Sequence, residues 1–211
     1  MIRVLLADDH GLVREGLRGL LAKATDIEVA AEAATGDEVL ARVKEADFDV
    51  ALLDLSMPGL SGLALIKRLK VEKPKLRILV LSMHGESQYA ARALKAGASG
   101  YLTKDSAAAQ LLGAIRKIAA GGVQISEAAA AQLIGAGGTA DAPHAALSDR
   151  EYEVLRRIVA GRSVTEIADA LHLSVKTVST HKARILEKLD LAGTAELVRY
   201  AIEHGLTDER P

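Results

Sequence analysis

Short apolar runs alternate with amphipathic stretches through the first half of the chain. The runs are Ile2 to Ala7, Ile27 to Ala33, Phe48 to Leu53, Arg77 to Leu81 and Ser99 to Thr103. Between them apolar residues fall at helical spacing, as in Val13, Leu17, Leu20 and Leu21, or Leu65, Ile66 and Leu69. A run that is apolar throughout, with no polar residue at every second place, predicts a strand buried on both faces. Strict strand–helix alternation then predicts a parallel sheet with helices on both sides. Right-handed crossovers make it a doubly wound domain of about 120 residues.

The pattern changes after Gly121-Gly122. Residues 126–142, SEAAAAQLIGAGGTADA, are rich in Ala and Gly and nearly uncharged. They predict a short helix over Glu127 to Ile134 and a flexible tether over Gly135–Gly138. Beyond, every signal is helical. Ser148-Asp149-Arg150-Glu151 is a capping box, in which Ser hydroxyl and Glu carboxylate satisfy free amides at a helix start. Val154, Leu155, Ile158 and Val159 form the buried stripe of that helix, and Gly161 ends it. Ser163-Val164-Thr165-Glu166 repeats the box, and Ser174 caps a third helix that runs to about Leu189. A fourth runs from near Thr194 to Gly205. The expected division is a sheet domain over 1–122, a linker over 123–146 and a small helical domain over 147–211.

Composition narrows the classes. With 49% apolar residues in a chain of 211 there is material for a core, and with 2% aromatics that core is built from aliphatic side chains. The absence of cysteine excludes a disulfide scaffold, a thiolate metal site and a thiol nucleophile. No signal peptide and no run of about 20 apolar residues is visible, so a cytoplasmic protein without a membrane span is expected. Net charge is −1 overall, and residues 1–125, 126–146 and 147–211 carry +2, −2 and −1. Any surface for nucleic acid must therefore be local.

In a doubly wound sheet, ligands bind beyond the carboxyl ends of the strands, where the strand order reverses. The polar residues at those ends are few: Asp8-Asp9, Asp54, Ser82 and Lys104. Three carboxylates brought together repel unless a cation joins them, and a hard divalent ion with oxygen ligands, Mg²⁺, suits the set. Asp54 is then placed as a nucleophile towards phosphorus, with Lys104 neutralising the equatorial oxygens and Ser82 donating to them. The other reading of any single Asp is a solvated carboxylate or helix cap. His10, beside the acidic pair, reads as a surface or helix-entry residue because Mg²⁺ prefers oxygen.

LLADDHGLVREGL, LLDLSMPGLSGL and LVLSMHGESQYAARALKAGASGYLTK, with the five-strand alternation, resemble the receiver domain of bacterial two-component response regulators. The resemblance covers about residues 2–120 and implies a flavodoxin-like fold. It implies that Asp54 accepts a phosphoryl group from a sensor histidine kinase. Asp9 and Asp54 would ligate Mg²⁺ with the backbone carbonyl of Ser56, and Asp8 would act through water. Ser82 and Tyr101 would form the switch: the hydroxyl moves towards the phosphate and the ring turns inward. An ordinary half-buried strand tyrosine is the plainer reading of Tyr101. Ser56 and His84 occupy positions that, in this family, influence how fast water removes the phosphate.

On a helical wheel with Val178 at zero, Ile185, Leu186 and Leu189 fall within about 80° of it, and Lys176, Ser179, Thr180, Ala183 and Arg184 lie on the opposite face. From Ser174 to Lys188 there are four basic residues and one acidic. Small polar groups flanked by basic ones suit a helix entering the major groove. LSDREYEVL…GRSVTEIADALHLSVKTVSTHKARILEKL resembles the LuxR-type helix-turn-helix, over 147–205. The match implies that Thr165 to Lys182 is the motif, that Lys176, Ser179, Thr180 and Ala183 face bases, that Lys182, Arg184 and Lys188 reach phosphates, and that Thr165 and Thr177 belong to the same DNA-binding set. Lys182, at about 40° on the wheel, must snorkel outward, and Ala183 offers only a methyl. The last helix presents Leu197, Val198, Ala201 and Ile202, which either pack on their own bundle or form the two-fold contact of a dimer.

Together these imply a phosphorylation-controlled transcription regulator of the NarL/FixJ type. Its partners would be a kinase, promoter double-stranded DNA, a second copy of the chain on phosphorylation, and RNA polymerase. An aspartyl-phosphate phosphatase is the enzymatic alternative, but the halo-acid dehalogenase type needs an Asp where Ser56 stands. A regulator driven by protein contacts alone would lack Asp54 or Lys104, and a small-molecule sensor would show a different first domain. A helical interaction domain with a solvated basic face is the alternative for the second.

Overall fold

The computed structural model describes residues 1–82, 87–127, 129–130 and 143–206. The chain divides into two compact units, Met1–Leu133 and Ile134–Pro211.

The first unit alternates β1 (Ile2–Ala7), α1 (Gly11–Leu21), β2 (Ile27–Ala33), α2 (Gly36–Glu45), β3 (Val50–Asp54), α3 (Gly62–Glu72), β4 (Arg77–Ser82), α4 (Ser87–Lys95), β5 (Gly100–Thr103) and α5 (Lys104–Ala119). The strands pair in parallel in the order β2-β1-β3-β4-β5. As the uninterrupted apolar runs require, Val4 to Leu6, Val50 to Leu53 and Ile78 to Val80 are completely buried. Val4, Leu6, Val50, Leu52, Leu79 and Leu81 share one core with Leu17 and Leu21 of α1 and Leu111, Ile115 and Ile118 of α5. The alternate residues Leu5, Leu53, Ile78 and Val80 point to the other face.

Three strands differ at their ends from the apolar runs. Phe48 lies outside the β3 ladder, with its ring 5.7 Å from the Arg3 guanidinium. β3 instead starts at Val50 and continues through Asp54, which pairs with Leu81. β4 likewise continues to Ser82, opposite Thr103, and β5 begins at Gly100 rather than Ser99. Two polar residues of interest are therefore last rungs of the sheet, held by its ladder.

The loop after β3 lies against the start of α2. Gly36 N donates to the Pro58 carbonyl at 3.1 Å. A Cβ on Gly36 would sit 1.6 Å from the Leu60 carbonyl oxygen, so only glycine admits this approach.

After α5, residues 127, 129 and 130 are helical. The rest of the expected helix to Ile134, and the tether Gly135–Gly138, lie outside the described residues. The second unit holds a 3₁₀ turn (Pro143–Ala146) and α6 (Asp149–Val159), α7 (Val164–Leu171), α8 (Val175–Leu189) and α9 (Thr194–Glu203). Both capping boxes form, with Ser148 and Glu151 on α6 and Ser163 and Glu166 on α7. Ser174 accepts from the Thr177 amide and caps α8. The turn between α7 and α8 is tight because His172 adopts the left-handed conformation, φ 50°. Val154, Leu155, Ile167, Leu171, Val178, Ile185, Leu197 and Ala201 fill the core. Among the described residues no helix is long and apolar enough to cross a membrane.

Candidate functional site

The strand order reverses between β1 and β3, and the acidic residues sit at that reversal. Asp8 follows β1 and is 1% exposed; Asp54 ends β3 and is 2% exposed. Lys104, at the start of α5, places its Nζ 2.6 Å from Asp8 Oδ2 and 2.8 Å from Asp54 Oδ2. One ammonium thus bridges two buried carboxylates. Asp9 is more open and meets His10 Nδ1 at 2.9 Å. Ligand atoms of Asp8, Asp9, His10 and Asp54 all lie within 4.8 Å of one another.

Electrostatics follow from that crowding. Burial pushes the Asp54 carboxyl above its ordinary range, and the neighbouring Asp8 adds to this against the pull of Lys104 and the Ser56 amide. For Lys104 burial acts downward, but Asp54 and Asp8 outweigh it and hold the ammonium above its ordinary value. Three carboxylates facing one lysine leave an excess of negative charge, which is the donor set a hard divalent cation takes.

The backbone positions these groups. Asp54 Oδ1 accepts from the Ser56 amide at 3.1 Å, and Asp8 Oδ1 accepts from the His10 amide at 2.9 Å. Ser56 itself is exposed. Ser82 and Tyr101 are both buried, 3% and 6% exposed, so Tyr101 is more deeply placed than a half-buried strand tyrosine. His84 lies outside the described residues. His10 occupies the N-cap position of α1. One positioning residue was invisible in the spacing. Arg14 on α1 donates through Nη1 to the Asp8 carbonyl at 2.6 Å and through Nε to Glu32 on β2 at 3.0 Å, tying the acidic turn to two elements.

In the second unit Lys176, Ser179, Thr180, Ala183 and Arg184 are all exposed on α8, and Thr165 is exposed on the first turn of α7. Ser179 and Thr180 hydroxyls donate to the Val175 and Lys176 carbonyls at 2.9 Å, which leaves their lone pairs outward. Thr177 is half-buried and serves the cap, its Oγ1 lying 2.7 Å from Ser174 Oγ. Lys182 is half-buried, as its place on the wheel requires. Lys188 departs from the face: its ammonium donates to Glu151 Oε2 at 2.7 Å, on α6. On α9 Leu197 and Ala201 are buried in the bundle, whereas Ile202 is 61% exposed.

Residues 4–116 match the family described as "Response regulator receiver domain", and residues 145–201 match "Bacterial regulatory proteins, luxR family". The chain is 37% identical to the response regulator UvrY of Escherichia coli K12 over 209 residues, covering 98% of this chain and 96% of that protein. It is 39% identical to the response regulator GacA of Pseudomonas protegens over 210 residues, 99% of each. A solved structure of the RcsB response regulator of Salmonella typhimurium aligns with TM-score 0.76 at 31% identity, covering 96% of this chain and 97% of that one. Another, of RcsB bound to promoter P1flhDC in the presence of the phosphomimetic BeF3⁻, aligns with TM-score 0.71 at 32% identity, covering 94% and 97%. The chain belongs to the NarL/FixJ-type response regulators, in which a receiver domain precedes a LuxR-family helix-turn-helix, and it is a DNA-binding transcriptional regulator activated by phosphorylation rather than an enzyme in the ordinary sense.

Proposed function

We propose that Asp54 is the phosphoacceptor, that a sensor histidine kinase supplies the phosphoryl group, and that the modified chain dimerises on promoter DNA through α8. The observation that carries this is the single ammonium of Lys104 bridging Asp8 and Asp54, both nearly sealed from water. A carboxylate in that setting is open to attack on phosphorus once its charge is balanced, and a lysine is at hand for the charge on the transferred group.

The clustered carboxylates of Asp8, Asp9 and Asp54 suit Mg²⁺; Asp9, Asp54 and the Ser56 carbonyl would hold the ion, and Asp8 would act through water. When bound, the ion supplies charge neutralisation for the incoming phosphoryl oxygens. The chain's own residues do the rest. An Asp54 oxygen forms a bond to phosphorus as the P–N bond to the donor imidazole breaks; the bond's electron pair stays on that nitrogen, and the ring, already carrying a proton on its other nitrogen, leaves as neutral imidazole. Lys104 exchanges part of its bond to Asp54 for a phosphoryl oxygen, and Ser82 donates to another. Movement of Ser82 alters the packing around Tyr101, and the two form the switch.

On the DNA side, Lys176, Ser179, Thr180 and Ala183 take the base-facing positions, with Thr165, Lys182 and Arg184 towards the backbone, while Thr177 supports the start of the helix through Ser174. Exposed Ile202 on α9 supports a two-fold contact that sets two reading helices one turn of DNA apart. RNA polymerase is the partner such a dimer would meet, and the cytoplasm its place of work. RcsB, a relative by sequence and structure, is seen on promoter DNA with BeF3⁻, which supports this order of events.

The test is chemical. Purified protein incubated with acetyl phosphate and Mg²⁺ should gain one phosphate by intact mass, and Asp54→Asn should gain none. A phosphate placed elsewhere with Asp54 unmodified refutes the assignment.

A further inference from the structure

Two polar ties bind the reading helix and the turn before it to the first turns of α6. At the C-terminal end of α8, Lys188 Nζ donates to Glu151 Oε2 at 2.7 Å and to the Ala146 carbonyl at 3.3 Å. Glu151 is 3% exposed, and the same oxygen accepts from the Ser148 amide at 2.7 Å. At the other end Arg150 Nη2 donates to the Leu171 carbonyl at 3.3 Å, among the carbonyls that a helix end leaves without a partner. Its Nη1 pairs with Glu153 Oε2 at 2.7 Å, and Glu153 is 4% exposed.

The lysine is committed to this contact. Burial alone would raise the Glu151 carboxyl; the Lys188 bond and the Ser148 amide and hydroxyl bring it below its ordinary value, so it stays ionised. A lysine serving a DNA phosphate presents its ammonium on the exposed face. This one is turned across to the neighbouring helix, onto a charge that would otherwise be buried with only its cap bonds. The geometric lever is long. Lys188 lies 12 residues from Lys176, roughly 18 Å along the axis, so a tilt of about 5° released at one end displaces the other by about 1.5 Å.

Resting on the reading of α8 as the DNA-contacting helix, we infer that Lys188 and Glu151 are a positioning pair: they hold α8 at the pitch at which Lys176, Ser179, Thr180 and Arg184 meet the duplex, and Lys188 is not itself a phosphate contact. The pair deepens the DNA-binding function by adding an acidic residue to its determinants, on a helix that need not touch DNA.

The experiment separates position from charge. Full-length protein is titrated with a fluorescein-labelled random 30-base-pair duplex across a NaCl series, and log K is plotted against log salt. Each phosphate contact contributes about −0.9 to that slope. Lys188→Gln, Glu151→Gln and the double variant should all weaken binding by about 10-fold, to a common level, with the wild-type slope. Glu151→Gln is decisive, because removing a negative charge near DNA would by charge alone tighten binding. Lys188→Arg should restore it. A Lys188→Gln slope shallower by about 0.9, or Glu151→Gln binding as tightly as wild type, overturns the inference. Lys182→Gln and Arg184→Gln should each lose about 0.9 of slope; if neither does, the reading of α8 itself falls, a separate outcome. Binding is scored where far-ultraviolet circular dichroism matches wild type. Should Glu151→Gln unfold the bundle, Lys188→Met, which leaves Glu151 on the Ser148 amide, carries the slope comparison.

Discussion

Two glycine-to-alanine substitutions, both in helices, should move stability in opposite directions. In α2 the added methyl of Gly36→Ala falls 1.6 Å from the Leu60 carbonyl oxygen and 2.7 Å from its carbon. Ordinary contact begins at 3.4 Å, so backbone must move by about 1.8 Å, and no flexible side chain can absorb the shift. Overpacking of that kind costs about 3 kcal/mol, at the upper end of its usual range. Alanine's helix preference returns at most about 1 kcal/mol, and less at the first helical position. The clash wins by about 2 kcal/mol, which for a unit of this size lowers the melting temperature by about 8 °C. In α5 the same change at Gly113 meets nothing within 4 Å. There only the helix preference acts, and the unit should gain about 0.5–1 kcal/mol, or 2–4 °C. Calorimetry of the full chain reads both. The functional consequence is specific to Gly36, because Leu60 lies in the loop that starts with the Ser56 amide bonded to Asp54. Phosphate uptake from acetyl phosphate should fall in Gly36→Ala and stay unchanged in Gly113→Ala. A Gly36→Ala protein that melts at or above wild type would falsify the packing argument.

Lys104→Met strips the ammonium from two buried carboxylates; phosphate uptake should drop at least about 100-fold, read by intact mass, and a rate within a few-fold of wild type would remove Lys104 from the chemistry. His181 on α8 is held below the ordinary imidazole range by burial, and then by the nearby Arg150 and Arg184 charges, against Glu151. The unfolded chain therefore takes up this proton first, so the contribution of His181 to the stability of the helical unit is full above about pH 6.5 and is lost as pH falls below it. Urea midpoints between pH 7.5 and 5 should drop more steeply in wild type than in His181→Gln, and parallel curves would count against the shift. Ile202→Glu should leave the fold intact, since the side chain is 61% exposed, and abolish dimers of beryllofluoride-treated protein in sedimentation; unaltered dimers would place the two-fold contact elsewhere.

Much of the fold was legible because burial on both faces leaves a strand no polar option. Val50 to Leu53 and Ile78 to Val80 read as strands for that reason alone. The same logic exposed the site, since a charged residue standing at the end of such a run is conspicuous; Asp8, Asp54 and Lys104 were found that way and do come together. Phe48 misled because an aromatic next to an apolar run looks like more strand. It packs under Arg3 instead, and the ladder starts two residues later. Asp54, at the carboxyl end of its run, is held by the sheet itself, because its backbone is still paired with Leu81.

What escaped the sequence shares one property. Arg14 bonds Asp8 and Glu32, and Lys188 bonds Glu151 across 37 positions. Solvent preference decides which face of a helix a residue occupies, and that is local enough to read along the chain. It does not decide where a long cation on the flank of that face sends its head group, because the answer depends on which acceptor tertiary packing has left buried. Lys188 sits about 80° from Val178 on the wheel of α8, at the edge of the apolar face, where the wheel allows either direction. A buried carboxylate already gripped by the Ser148 amide is a stronger acceptor than water, and it turns the ammonium inward. On a helix flank, then, the position of Lys188 on the wheel does not choose between solvent and Glu151; the buried acceptor left by the capping box does.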